Sequence, residues 1–112
     1  MGLTSTSSGA TQIITVHSNR IDAAMAIQFK EDMRSETETG AIRVVLDLSS
    51  VEFIDSSGLG AIVASMKQLG KDRRLDLAGP QPVVEKALRL TRMDTVFRLF
   101  ATLDDALSSP DA

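Results

Sequence analysis

The sequence predicts an α/β fold, a four- to five-stranded mixed sheet with about four helices lying mainly on one face. Two observations carry that expectation. Short β-branched or aliphatic runs (Thr11 to Val16, Val44 to Leu48, Leu75 to Gly79) alternate with stretches of helical periodicity, and such alternation implies parallel crossovers. Composition points the same way: 43% of residues are hydrophobic, yet there is no Trp or Tyr and only four Phe. An aliphatic and methionine core of that kind suits helices packed on a sheet.

The elements follow in order. Thr11, Ile13, Ile14, Thr15 and Val16 make a β-branched first strand, expected to pair antiparallel or lie at an edge. His17 to Arg20 is a turn, with Asn19 suited to a left-handed conformation. Asp22 is placed to N-cap the next helix, on which Met25, Ala26, Phe29 and Met33 share one face. Gly40 terminates it. Val44 to Leu48 lacks alternation, as a central strand covered on both faces does.

Leu59, Ile62, Val63, Met66 and Leu69 recur at i, i+3, i+4, i+7 and i+10, the clearest amphipathic helix in the chain, closed by Gly70. After the Leu75 to Gly79 strand, Pro80 interrupts and Pro82 opens a helix buried through Val83, Val84, Ala87, Leu88 and Thr91. Thr95 to Phe100 gives a turn and an edge strand. Thr102 to Asp105 resembles a capping box before a last short helix through Leu107.

At 112 residues the chain is one domain, expected over 11–108. Residues 1–10, rich in Ser, Thr and Gly, are expected to be a disordered tail, and 109–112 a second short tail. Net charge is −3, and no basic stripe with interleaved aromatics suggests direct nucleic-acid binding. Lys71, Arg73 and Arg74, broken by Asp72, read as a solvated turn.

With no cysteine there is neither a disulfide framework nor a thiolate metal site, and one histidine makes a His-based metal site unexpected. The composition fits a reducing cytosol. No apolar run approaches the ~18 residues that span a bilayer, and Met1 to Ala10 lacks the apolar centre of a signal peptide. Gly2 and Thr6 match a myristoylation pattern, but a Ser/Thr-rich tail meets that pattern cheaply.

Function concentrates in Val44 to Gly60, where an apolar strand runs into a polar turn that delivers Ser56 and Ser57 to a helix start. Hydroxyls there sit among unpaired backbone N–H groups at the positive end of the helix dipole. A phosphate added to one would be held locally and would change the charge of a partner-facing surface. The plainer reading is that one serine caps the helix and the other solvates the turn. Gly58 and Gly60 keep the surroundings low, for a partner's approach or for a close helix–sheet contact. Asp55 orients a serine hydroxyl, helps position the metal–nucleotide of a docking kinase, or is simply a turn aspartate, and Asp22 lies just past a strand end as Asp55 does, at a shared sheet edge.

Enzyme chemistry finds little support. No glycine stands two residues before either serine, as a G-x-S-x-G elbow requires. His17 has no orienting partner, and the phosphate loop G-x-x-x-x-G-K-[ST] is missing. Asp104 and Asp105 are explained by the dipole of the helix they open.

Phe53-Ile54-Asp55-Ser56-Ser57-Gly58-Leu59-Gly60 resembles the STAS domain of bacterial anti-sigma factor antagonists. The likeness extends from about Ile13 to Leu107, including Arg20 to Ala23 and Met93 to Phe97. It implies a STAS-like α/β domain that binds an anti-sigma factor, often itself a GHKL-type serine kinase. That kinase would phosphorylate Ser57, and a metal-dependent serine phosphatase would reverse the step. It further implies a docking surface of Asp22, Asp55, Ser56, Gly58, Leu59 and Gly60, with no cofactor and a cytoplasmic location. A constitutive, unphosphorylated STAS subunit of a signalling complex or membrane transporter is the alternative. Asn19 stands where the family usually has glycine, which affects the docking loop rather than the fold.

Overall fold

The computed structural model describes residues 2–109. Among these residues seven strands and four α-helices follow one another: β1 (Leu3–Ser8), β2 (Thr11–Val16), β3 (Arg20–Ile21), α1 (Ala26–Glu36), β4 (Arg43–Asp47), β5 (Phe53–Ile54), α2 (Ser56–Leu69), β6 (Arg74–Ala78), α3 (Pro82–Leu90), β7 (Leu99–Phe100) and α4 (Leu103–Ser108). The main sheet has the order β1-β2-β4-β6-β7. Its last four strands are parallel and β1 runs antiparallel to β2. The expected mixed five-stranded sheet is therefore present.

Its antiparallel member, however, comes from the segment expected to be a disordered tail. Residues 3–8 form β1 against β2, from Leu3 opposite Val16 to Ser8 opposite Thr11. Gly9 and Ala10 make a two-residue hairpin loop, and Gly9 at φ +61° supplies the left-handed first position that a type II′ turn needs. Three side-chain links help hold the strand. Leu3 packs on the core, Gln12 Nε2 donates to Ser5 Oγ (2.8 Å), and His17 Nε2 pairs with Thr4 Oγ1 (2.8 Å). Low hydrophobicity hid a strand whose order comes from its neighbour. Met1 and residues 110–112 lie outside the described residues, so most of the second expected tail does too.

The core splits unequally between the two faces. Ile14, Val16, Val44, Leu46, Leu75 and Leu77 point to the face covered by α1, α2 and α3. These helices contribute Phe29 and Met33, then Leu59, Ile62 and Leu69, then Val84 and Leu88. On the other face Val45 and Ala78 meet only α4, through Ala106 and Leu103, with Phe100 beside them. The unalternating apolar run in β4 thus has cover on both sides, thick on one and thin on the other.

Three local expectations are corrected. Asn19 is not left-handed: Arg92, at φ +63°, is the one non-glycine with positive φ among the described residues. The Asn19 carbonyl instead accepts from the amides of Glu52 (2.7 Å) and Phe53 (3.2 Å), fixing the start of β5. Asp22 does not cap α1, which begins four residues later behind Met25. It accepts from the Ala24 amide (3.1 Å) and closes the intervening turn. Val83 of α3 and Thr91, which caps its end, face solvent, leaving Val84 and Leu88 as the buried pair of the helix.

Candidate functional site

Two short elements that periodicity did not disclose build the site. β3 and β5 pair in parallel, Arg20 with Phe53 and Ile21 with Ile54, and lead directly into the turn before α1 and into α2. Alternation on β5 buries Ile54 and leaves Phe53 half exposed at 52%.

Asp55 follows β5 in extended backbone and N-caps α2. Its Oδ1 accepts from the Gly58 amide (2.8 Å), and its backbone carbonyl accepts from the Leu59 amide (2.9 Å). Its Oδ2 accepts from the Ala23 amide (3.1 Å), in the turn that Asp22 closes. One carboxylate therefore ties the first turn of α2 to the segment after β3. Asp22 pairs with Arg20 (3.3 Å). Sequence reasoning placed Asp22 and Asp55 at one edge, and the fold joins them through the peptide units of residues 23 and 24.

Because Asp55 does the capping, neither serine is needed for it. Ser56 and Ser57 occupy the first two positions of α2, and both are exposed. Their hydroxyls and backbone amides make no hydrogen bond within the described residues. Two free N–H groups and two free hydroxyls thus sit at the positive end of a 14-residue helix.

The two glycines divide between the two explanations open to them. A Cβ on Gly58 would collide with the Ile21 carbonyl oxygen and lie 3.0 Å from Ile54 Cγ1, so α2 crosses β3 at a distance only hydrogen permits. A Cβ on Gly60 would meet nothing within 4 Å. Gly58 is therefore an internal packing requirement, and Gly60 belongs to the outward side of α2 with Ser56 and Ser57. Leu59 is buried on the core side and anchors the first turn. Of the seven residues picked out from the sequence, Ser56, Ser57 and Gly60 form the exposed surface. Asp22 and Asp55 shape it, and Gly58 and Leu59 hold it to the core.

The remaining candidate groups lie elsewhere. Asp104 and Asp105 open α4, where the Asp105 amide donates to Thr102 Oγ1 (3.0 Å); this is one half of the expected capping box, and among the described residues no bond returns from the Thr102 amide to the Asp105 carboxylate. His17 is engaged with Thr4 of β1. No helix among the described residues is long and apolar enough to cross a membrane.

Comparison with known proteins yields a consistent set of relatives. A family model described as the STAS domain matches residues 5–106. The anti-sigma-F factor antagonist RsfB of Mycobacterium tuberculosis is 32% identical over 88 residues, covering 79% of this chain and 72% of its own. The crystal structure of an anti-sigma factor antagonist from Mycobacterium paratuberculosis superposes with a TM-score of 0.84 at 29% identity, covering 95% of this chain and 90% of the other. A STAS-domain anti-sigma-factor antagonist protein from Planctomyces limnophilus matches with a TM-score of 0.85 over 96% of each chain; at 21% identity it speaks to the fold.

Proposed function

The chain belongs to the STAS domain family, and from that premise we propose that it is a cytoplasmic anti-sigma factor antagonist switched by reversible phosphorylation of Ser57. The observation that carries this reading is the division of labour at the start of α2. Asp55 caps the helix, which leaves the Ser57 hydroxyl exposed and without a structural task.

In the unphosphorylated state the surface around Ser57 docks on an anti-sigma factor and releases the sigma factor that protein holds. The anti-sigma factor is itself a serine kinase of the GHKL type. The Ser57 oxygen attacks the γ-phosphorus of ATP, the bond to the β-phosphate oxygen breaks, ADP departs, and the hydroxyl proton passes to a base of the kinase. A metal-dependent phosphatase hydrolyses the ester and restores the hydroxyl.

The effect on binding is electrostatic. A phosphate adds about −2 charge beside Asp55 and Asp22. The dipole and free amides of α2 hold that charge where it stands, so the helix does not melt. The docking surface gains negative charge without refolding. A tenfold loss of affinity needs only ~1.4 kcal/mol, well within reach of a dianion forced against a face that fitted a neutral hydroxyl.

Incubation with the cognate kinase and ATP, followed by intact-mass measurement, tests the reading. A gain of one phosphoryl group that Ser57→Ala abolishes is expected. No gain, with binding retained, would instead favour a constitutive STAS subunit.

A further inference from the structure

The margin of the main sheet formed by β1 is open, and nothing in its sequence closes it. Every residue from Thr4 to Ser8 is exposed, and only Leu3 turns partly into the core. No Asp, Glu, Lys, Arg or Pro occurs before Arg20, although charged residues make up 24% of the chain. Pairing with β2 runs without a bulge from Leu3 to Ser8. Charges, prolines and bulges are the devices that keep an edge strand from pairing further, and β1 has none of them.

The direction of its backbone groups follows from one hydrogen bond. The His17 amide donates to the Gly2 carbonyl (3.0 Å), which makes Gly2 and His17 a bonded pair. Bonded and non-bonded pairs alternate along an antiparallel ladder. Thr4, Thr6 and Ser8 therefore bond to β2, and the N–H and C=O groups of Leu3, Ser5 and Ser7 point away from it. These outward groups make no hydrogen bond within the described residues. The opposite margin of the sheet offers no such row, since β7 has two residues and α4 packs against it.

A second copy of the same strand complements this edge. Set antiparallel about a two-fold axis at Ser5, each Ser5 faces its counterpart and Leu3 faces Ser7. Every outward N–H then meets an outward C=O. Thr and Ser side chains meet Thr and Ser across the seam, pairings that favour strand association, and no like charges oppose them. The short β7 margin gives a third copy nothing comparable to join, so association closes at two.

We infer that the chain forms a symmetric dimer by joining two main sheets along β1. A six-residue strand is about 20 Å long at ~3.4 Å per residue. That seam is short, so the dimer is weak and concentration-dependent. It uses none of the residues named around Ser57 and stands independently of the switch.

Sedimentation equilibrium between about 10 μM and about 1 mM, read together with amide hydrogen exchange, tests it. A monomer–dimer equilibrium is expected, with protection at the Leu3, Ser5 and Ser7 amides that rises with concentration. Ser7→Pro removes an outward N–H and no bond to β2, and should weaken dimerisation about tenfold or more. Ser5→Lys sets two like charges across the axis and should weaken it without a proline. Amide spectra and melting temperatures report whether both variants fold. A monomer at every concentration, a dimer whose outward amides stay unprotected, or undiminished dimerisation by either folded variant would overturn the inference. Protection gained only on adding a different protein would overturn it too.

Discussion

Gly58 rests against the carbonyl of Ile21, closer than any side chain allows. That contact sets the distance between α2 and β3, and hence the height at which Ser57 stands above the sheet edge. Gly58→Ala forces a methyl group into backbone that cannot rotate away, an overpacking that costs about 1–3 kcal/mol. Chemical denaturation should show that loss. Unchanged stability would mean that α2 is not seated as described.

Gly60→Ala should behave in the opposite sense. Its Cβ meets open space, and alanine is favoured over glycine inside a helix by up to ~1 kcal/mol. The variant should therefore be at least as stable as the native protein. If a partner approaches this side of α2, the same methyl weakens complex formation, so a calorimetric titration reads a binding loss that the denaturation curve does not share.

Asp55→Ala removes an N-cap and the tie to Ala23 at once. The capping loss alone is typically ~1 kcal/mol. Faster hydrogen exchange at the amides of both Gly58 and Ala23 distinguishes this from a simple helix effect. Protection retained at Ala23 would contradict the double role of the carboxylate.

For Ser57 the expectations separate stability from binding. The residue is exposed and unbonded, so Ser57→Ala and Ser57→Asp should each stay within about 0.5 kcal/mol of native stability. Their affinities for the anti-sigma factor should diverge by about tenfold or more, alanine tight and aspartate weak. Matching affinities would remove charge as the basis of the switch.

Deleting residues 2–8 should destabilise the fold even though the segment is polar. β1 pairs with β2 along six residues and supplies Leu3 to the core. A loss of ~1 kcal/mol lowers the melting temperature by about 4–8 °C in a domain of this size. An unchanged melting temperature would restore the view of this segment as a tail.

Much of the architecture was legible because it rests on periodicity. The apolar spacing of α2, the unbroken run in β4, Pro82 at the start of α3 and Thr102 at the start of α4 each announce local structure by side-chain chemistry. β1, β3 and β5 were not legible for one shared reason. A polar strand, or a two-residue one outside an apolar run such as the one that marks β7, carries no pattern of its own, and its order comes from the partner it pairs with.

At the site, the chain order alone put Asp55, Ser56 and Ser57 together at a helix start, since that is a matter of neighbours in sequence. Which of the three caps the helix, and which glycine is needed for packing, was open until α2 was set against Ile21 and Ala23, residues more than thirty positions away. A hydrogen-bond acceptor or a steric wall so remote along the chain leaves no trace in local composition, and only folding brings it within reach.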